Sequence, residues 1–152
     1  MSVKASQLAL RFQLPASGFY DQFKEQPDVV NPDWDKGLSQ PDGQLRTTWI
    51  DIDIARKLLY ADCDDHTIGA AFDRLRPQSA YPFTAPLPLA EYPSVSCTSI
   101  VCTDDQLLNP EWQKRIARDI GADIVELPGS HSPLLSRPSA VADVLLQLTS
   151  AM

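Results

Sequence analysis

The alternation of apolar and polar positions is most regular after residue 94. An uncharged, β-prone run at 95–102 predicts a strand buried on both faces. A second such run at 123–127 predicts another strand. A helical pattern follows each run, over 110–120 and from 138 to the end of the chain. The order strand, helix, strand, helix is typical of an α/β unit with a parallel sheet.

The boundaries of these helices have recognisable signals. Asn109 is a good helix cap, Pro110 suits the first helical position, and Gly121 predicts the end of the first helix. Apolar residues recur at helical spacing in both helices and are predicted to face the core. They are Trp112, Ile116 and Ile120 in the first helix and Val141, Val144, Leu145 and Leu148 in the second.

The first half of the chain is divided by two proline-rich stretches, 15–43 and 77–93. Proline fixes φ and removes an N–H, so both stretches are predicted to be surface connections. The pattern between them predicts small elements that need a larger partner to pack against. These are a turn at Pro41-Asp42-Gly43, a strand over 44–50, a helix through Leu59 capped by Asp51 or Asp53, and a helix over 65–75.

Composition narrows the classes of function. The 152 residues include 13 Lys and Arg against 20 Asp and Glu, which gives a net charge of −7. A polyanionic partner, whether nucleic acid or an anionic membrane surface, is therefore disfavoured. The length suits one domain with a real core, and 43% hydrophobic residues argue against wholesale disorder.

The cysteines and histidines are few. Three cysteines, Cys63, Cys97 and Cys102, do not form a disulfide framework pattern, which favours a reducing compartment. Residues 1–14 lack the apolar segment of a signal peptide, and no run is long enough for a membrane helix, so the cytoplasm is expected. No zinc spacing exists. The acidic cluster Asp62, Asp64, Asp65 and His66 could bind a cation, although carboxylates at a helix start are more often caps.

Candidate chemistry lies where the two predicted strands end. The first strand leads to Thr103-Asp104-Asp105 and the second to Pro128-Gly129-Ser130-His131. Parallel neighbours would present an aspartate and His131 at one edge of the sheet, where ligands gather in open α/β folds. This pair is two-thirds of a Ser-His-Asp triad, in the order acid then base. The alternative is a solvated turn and an exposed histidine.

The local sequence resembles the end of an α/β-hydrolase of the plant methylesterase and hydroxynitrile-lyase group and its bacterial relatives. The resemblance covers roughly 45–150 and is most specific around His131, and it is weaker in a segment that resembles the group's lid. The matching segments are Ser99 to Asp105, Pro110 to Gln113, Glu126 to Pro138, Ala61 to Cys63 and Leu75 to Ser79.

The resemblance implies roles for single residues. Asp105 would be the triad acid, because it stands eight residues before Gln113 in the second acidic position of the turn. Asp104 would remain a solvated turn residue, and His131 would be the general base. Relatives that cleave cyanohydrins have a lysine after this histidine, whereas this chain has Ser132, which favours ester hydrolysis.

The nucleophile of the family is not recognisable. No Gly-x-Ser-x-Gly turn occurs in the chain, and Ser17 is flanked by Pro15 and Phe19 where glycines are expected. A thiol could replace the hydroxyl, but Cys97 and Cys102 are predicted to be small buried residues of a strand. Ser2, Ser6 and Ser39 are no better placed than Ser17.

The predicted fold class is therefore α/β, a partial α/β-hydrolase fold with C-terminal parallel strand-helix units and a mainly helical lid. The predicted divisions are an uncertain segment at 1–18, a lid-like region at 19–90 and a core portion at 91–152. Residues 1–40 have low periodicity and are consistent with a long arm. The three tryptophans are predicted to be packing residues, because the chain lacks the basic groove that base stacking requires.

The resemblance implies a hydrolase of small carboxylic esters without a cofactor, and this chain alone is expected to be poorly active or inactive. One alternative is a truncated, inactive hydrolase that acts as an association module, as a homo-oligomer or with a missing N-terminal half. Another is an incomplete gene product.

Overall fold

The computed structural model describes residues 26–86 and 95–150. We call residues 26–86 the helical segment and residues 95–150 the sheet unit. The predicted segment 1–18, and with it the candidate nucleophiles Ser2, Ser6 and Ser17, lies outside the described residues.

The helical segment consists of short elements. Its two short strands pair in antiparallel fashion, with Arg46 opposite Ser79. In chain order the elements are a 3-10 helix Trp34–Gly37, β1 Arg46–Thr47, α1 Ile52–Leu59, α2 Asp65–Phe72, β2 Gln78–Ser79 and α3 Tyr81–Thr84.

The strand predicted over 44–50 is wrong in its length, since only two of these residues pair with β2. Leu45 has a φ of 56°, outside the strand region. After Thr47 the chain changes partner: the Thr48 carbonyl accepts the Ser39 N–H at 2.8 Å, and Trp49 bridges to Leu38. The predicted strand is therefore a two-residue strand paired with β2, followed by two residues that pair with Leu38 and Ser39.

Carboxylates begin the two longest helices of this segment, α1 and α2. Asp51, one of the two predicted caps, accepts the N–H groups of Asp53 and Ile54 at 2.9 and 3.0 Å. Asp64 accepts the Thr67 N–H at 2.7 Å at the start of α2. The predicted helix over 65–75 is too long at its end, because the N–H groups of Arg74 and Leu75 bond three residues back and tighten the chain into turns before Pro77.

The core of the helical segment lies between α1 and α2. Its buried members are Ala55, Leu59, Tyr60 and Ile68, and Trp49 packs against them. The chain also passes close to the Trp49 ring at Gly37, where an added Cβ would lie 2.6 Å from a ring carbon. Glycine is therefore required at this position.

The sheet unit has the predicted order. Its two strands pair in parallel, with Thr98 opposite Asp123 and Cys102 opposite Leu127. Gly121 adopts a φ of 67° directly after the first helix and confirms the predicted stop. The elements are β3 Thr98–Cys102, α4 Pro110–Asp119, β4 Asp123–Leu127, α5 Pro133–Ser136 and α6 Pro138–Ser150.

Burial of β3 is less complete than predicted. Ser99 and Val101 are buried on one face. On the other face Cys102 is buried but Thr98 and Ile100 are only half-buried, so the predicted burial of this face holds only at the end of the strand. Cys97 lies before the strand and is half-buried. The strand begins later than the β-prone run, because pairing with β4 starts only at Thr98.

Helix α6 buries a narrow stripe. Val141 and Val144 are buried and Leu148 is half-buried, whereas Leu145 is 52% exposed and was wrongly assigned to the core. Neighbouring helical positions differ by about 100° in direction, so Leu145 lies about 100° from Val144 and about 40° from Val141, at the edge of the buried stripe. Leu146 is 64% exposed beside it.

Residues 26–31 pack on the sheet unit, and the described part of 1–40 does not form the long arm that its pattern indicated. Val29 is fully buried and clusters with Trp112 and Ile116. The Val29 carbonyl accepts the Asn109 N–H at 3.0 Å, and the Asn31 N–H donates to the Leu107 carbonyl at 2.8 Å. This part of the helical segment is thus bonded to the loop that follows β3.

Candidate functional site

The ends of β3 and β4 lie side by side because the backbone hydrogen bonds between them continue past the ends of both strands. The Thr103 N–H donates to the Leu127 carbonyl at 2.9 Å, and the Asp104 N–H donates to the Gly129 carbonyl at 3.0 Å. The two loops that carry the candidate residues therefore leave the same edge of the sheet, as their order in the chain predicted.

Asp105 is the most enclosed carboxylate of this edge, with a side chain 4% exposed. Its Oδ1 accepts the N–H groups of Leu107 and Leu108 at 2.8 and 3.0 Å. Its Oδ2 accepts the Gln113 amide N–H at 3.0 Å. These bonds come from the loop before α4 and from α4 itself, and they fix the carboxylate in one orientation.

The structure brings Asp105 and His131 together. The imidazole Nδ1 lies 3.0 Å from Asp105 Oδ2, across 26 residues of sequence. An ionised carboxylate only accepts hydrogen bonds, so in a neutral imidazole this contact puts the proton on Nδ1 and the lone pair on Nε2. The His131 side chain is 29% exposed and thus accessible to a reactant.

Asp104 is more than the solvated turn residue that its sequence indicated. Although it is exposed, its Oδ2 accepts the Gly129 N–H at 3.0 Å and the Thr103 hydroxyl at 3.2 Å. Asp104 therefore fastens the end of β3 to the loop after β4. The sequence missed this contact, because nothing in the spacing distinguishes a side chain that bonds across strands from one that bonds to water.

Asp62 was also missed, since the acidic cluster predicted either a cation site or caps. Among its members Asp64 is a cap and Asp65 pairs with Arg56, but Asp62 accepts the Ser130 hydroxyl in a short hydrogen bond and contacts Arg137 Nε at 3.3 Å. Ser130 is 1% exposed and directly precedes His131. A bond across 68 residues has no local sequence signal.

The charge of Asp62 is stabilised by these donors. Partial burial raises the pKa of its carboxyl, but hydrogen bonds from Ser130 and Ser136 outweigh burial, so the pKa lies below its usual value. Gly129 has a φ of 137° and lies close to this carboxylate. A Cβ there would lie 2.8 Å from Asp62 Oδ2 and 2.7 Å from Arg137 Nε, so the position requires glycine.

The thiols closest to this edge are not activated. Burial raises the pKa of Cys102 to about 11, with further raising by the negative charges of Asp105 and Asp62. Burial likewise raises the pKa of Cys63, and Asp62 and Asp64 add to the effect. A thiol nucleophile needs a lowered pKa, so this arrangement disfavours the alternative of a catalytic cysteine.

The remaining candidates have plain environments. The hydroxyl of Ser39 accepts the Thr48 N–H at 3.1 Å within the helical segment. Within 26–86 and 95–150, no group of three or more His, Cys, Asp or Glu side chains could hold a metal ion. None of the helices that the structure describes is both long and apolar enough to cross a membrane.

The family follows from a comparison of sequences. Residues 7–144 match the profile described as the Alpha/beta hydrolase family. The chain belongs to this family. The match includes residues 7–44, which precede the part whose motifs resembled the family. A search of curated proteins found no match to the chain.

Solved structures support the same fold for this hydrolase-family chain. A pyrethroid hydrolase from Sphingobium faniae superposes with a TM-score of 0.71 at 18% identity, over 92% of this chain and 58% of that one. Polyneuridine aldehyde esterase superposes with a TM-score of 0.67 at 18% identity, over 86% of this chain and 54% of that one. The chain thus spans less than two-thirds of the length of these structures, and it has a partial α/β-hydrolase fold.

Proposed function

We propose that this chain supplies the acid and base of an ester-hydrolysing site, with Asp105 orienting His131. The observation that supports the proposal best is the 3.0 Å contact between Asp105 Oδ2 and His131 Nδ1. The other lone pairs of this carboxylate are occupied by Leu107, Leu108 and Gln113. A rigid acid that holds the imidazole by Nδ1 is what a triad needs.

The proposed chemistry is a two-step acyl transfer. His131 Nε2 accepts the proton of a hydroxyl nucleophile as the oxygen attacks the ester carbonyl, and the imidazolium then protonates the departing alkoxide. Water attacks the acyl group in the second step, with His131 again taking the proton. Asp105 remains ionised and stabilises the imidazolium in both steps.

A small carboxylic ester is the proposed substrate. The esterase and hydrolase among the similar structures support this class, as does Ser132 after the histidine, where cyanohydrin-cleaving relatives have lysine. The helical segment is proposed to form part of a lid over the site, within the predicted lid-like region 19–90. Its contacts with the His131 loop through Asp62 support this role.

The nucleophile is proposed to come from polypeptide other than this chain. No Gly-x-Ser-x-Gly turn occurs in the sequence, and the chain spans only 57% of a similar pyrethroid hydrolase structure. The purified chain should therefore hydrolyse a short p-nitrophenyl ester no faster than His131→Ala and Asp105→Ala do. A serine-directed fluorophosphonate should leave it unlabelled.

Turnover that disappears in both variants would contradict this part of the proposal. Fluorophosphonate labelling that His131→Ala abolishes would contradict it as well, because it would reveal a nucleophile within the chain. Mass spectrometry of the labelled peptide would then identify the residue, with Ser17 and Ser39 as the first positions to inspect.

A second candidate function is association without catalysis, as one half of a split hydrolase or as a homo-oligomer. The exposed leucines of α6, Leu145 and Leu146, support it, because large apolar side chains grouped at a surface favour contact with another chain. Light scattering tests it: a self-associating chain should exceed its 16.8 kDa monomer mass. A clean monomer that also binds no polypeptide carrying Gly-x-Ser-x-Gly would contradict it.

The cytoplasm is the proposed compartment. Three cysteines without a framework pattern support a reducing environment, and the net charge of −7 argues against nucleic acid or an anionic membrane as partner.

A further inference from the structure

Asp62 contacts the loop that carries His131 at residues other than the histidine itself. It belongs to the turn between α1 and α2, in the helical segment. Its side chain is 22% exposed and bonds to two residues of the segment 129–137, Ser130 and Arg137. These contacts distinguish it from Asp51 and Asp64, which cap helices, and from Asp33 and Asp42, which form exposed ion pairs.

The partners of Asp62 bracket His131. Ser130, one residue before the histidine, donates its hydroxyl to Oδ1 in a short hydrogen bond. Arg137, six residues after the histidine, contacts Oδ2 through Nε at 3.3 Å. One carboxylate thus bonds both ends of the segment that carries the imidazole.

The burial of these groups limits the alternatives open to them. Ser130 is 1% exposed, so without Asp62 its hydroxyl would be left in a largely water-free position. Gly129 packs so closely that a single added carbon would contact both Asp62 and Arg137. The loop therefore has little space to adopt another conformation while this carboxylate is in place.

We propose that Asp62 is a positioning residue that holds His131 at bonding distance from Asp105, and that it links the helical segment to the base. This inference rests on the proposed function, since it assigns Asp62 to the same acid and base. Asp105 orients the imidazole ring directly, and Asp62 fixes the backbone from which the ring extends. Neither contact alone determines where Nδ1 lies.

The ring itself provides the readout. The chain has only two histidines, so isotope-labelled histidine gives two sets of NMR signals, and His131→Ala assigns them. The nitrogen shifts of a neutral imidazole report which nitrogen carries the proton. A loss of stability alone would not move this tautomer in molecules that remain folded.

Asp62→Asn and Ser130→Ala are the informative variants. Each should reduce the Nδ1-protonated share of His131 about twofold, because a loosened loop lets the ring leave Asp105. Each should also speed amide exchange in residues 130–137 about tenfold. Ser130→Ala removes a single oxygen and preserves the charge of Asp62, so it remains informative if Asp62→Asn folds poorly.

Two control variants match these changes. Asp73→Asn removes a carboxylate that is exposed at the end of α2, and Ile68→Val loosens the core beside α1. Both should leave the tautomer of His131 as in the unaltered chain. An unchanged tautomer in Asp62→Asn and in Ser130→Ala, or an equal change in Ile68→Val, would overturn the inference.

The design separates this inference from the proposed function. If Asp105→Asn changes the tautomer and the Asp62 and Ser130 variants do not, only the positioning role fails. If Asp105→Asn has no effect either, the acid and base assignment itself fails. No step of the experiment requires an active enzyme.

Discussion

In the helical segment, carboxylates bond to atoms close by in sequence, as when Asp51 and Asp64 cap helices two to three residues away. In the sheet unit, the corresponding bonds cross the fold. Asp105 meets His131 across 26 residues, and Asp104 meets Gly129 across 25. The same side chain thus stabilises local structure in one region and tertiary structure in the other.

This difference determines what each region can do. A capping bond forms whenever its helix forms, so it does not report on the rest of the molecule. A bond between two strand ends exists only after the strands have paired, and it can therefore hold two reactive groups in register. Two carboxylates of the helical segment depart from this, because their partners lie in the sheet unit: Asp62 bonds to Ser130 and Arg137, and Asp28 forms an exposed ion pair with Arg115.

The largest expected loss of stability comes from removing a side chain that packs between the two regions. Trp112→Ala removes a fully buried ring that packs on Val29 of the helical segment and on Ile116 of its own helix. The free energy of unfolding should fall by about 3–5 kcal/mol, as measured by urea denaturation. Leu146→Ala, at an exposed position of α6, should change it by less than about 0.5 kcal/mol. Similar losses in the two variants would contradict the packing.

A smaller effect is expected where the tertiary bonds require a glycine. Gly129→Ala should lower stability by about 2 kcal/mol, because its φ is 137° and the new carbon would contact Asp62 and Arg137. Gly43→Ala is the matched control, since nothing lies within 4 Å of its added carbon. Thermal unfolding of both variants makes the comparison. Equal melting temperatures would mean that the loop before His131 is not closely packed.

A local change in the helical segment should have the opposite sign. Gly69 lies inside α2, and an added Cβ there meets no atom within 4 Å. Gly69→Ala should raise stability by about 1 kcal/mol, because alanine favours the helix. It should leave the His131 tautomer unchanged. A shifted tautomer would contradict the account, because it would show that a substitution within α2 acts beyond the helical segment.

The smallest expected effect on stability comes from protonating Asp62 at acidic pH. The folded pKa of Asp62 lies below its ordinary value of 3.8, so its stabilisation is present above that value and is lost as pH falls through the folded pKa. The difference in melting temperature between the unaltered chain and Asp62→Asn should therefore shrink as pH is lowered from neutral toward 3. A difference that stays constant or widens would contradict this sign.

The sequence predicted those features that depend on order along the chain. Parallel strands that follow one another end at one edge, which is why the order of the elements was enough to place an aspartate of the Asp104-Asp105 turn beside His131, while the choice of Asp105 came from the family resemblance. Asp51 and Gly121 were likewise readable, because a cap and a helix stop are local chemistry.

Features that depend on tertiary packing were not predictable from the sequence. Leu145 fits the helical period of α6 as well as Val144 does, yet one is 52% exposed and the other is buried. The bond between Asp62 and Ser130 spans 68 residues, and the turn that contains Asp62 resembles an ordinary helix start. Periodicity gives the face of a helix within about 100°, and it does not identify tertiary partners.

The most direct test of the acid and base assignment is the tautomer of His131 at mildly alkaline pH. The 3.0 Å contact with Asp105 requires the proton on Nδ1 in the unaltered chain. Asp105→Asn should transfer the preference to Nε2, as expected when an amide replaces the orienting carboxylate. Asp119→Asn, at an exposed position of α4, should change nothing. An Nε2-protonated ring in the unaltered chain, or a tautomer that Asp105→Asn leaves the same, would contradict the account.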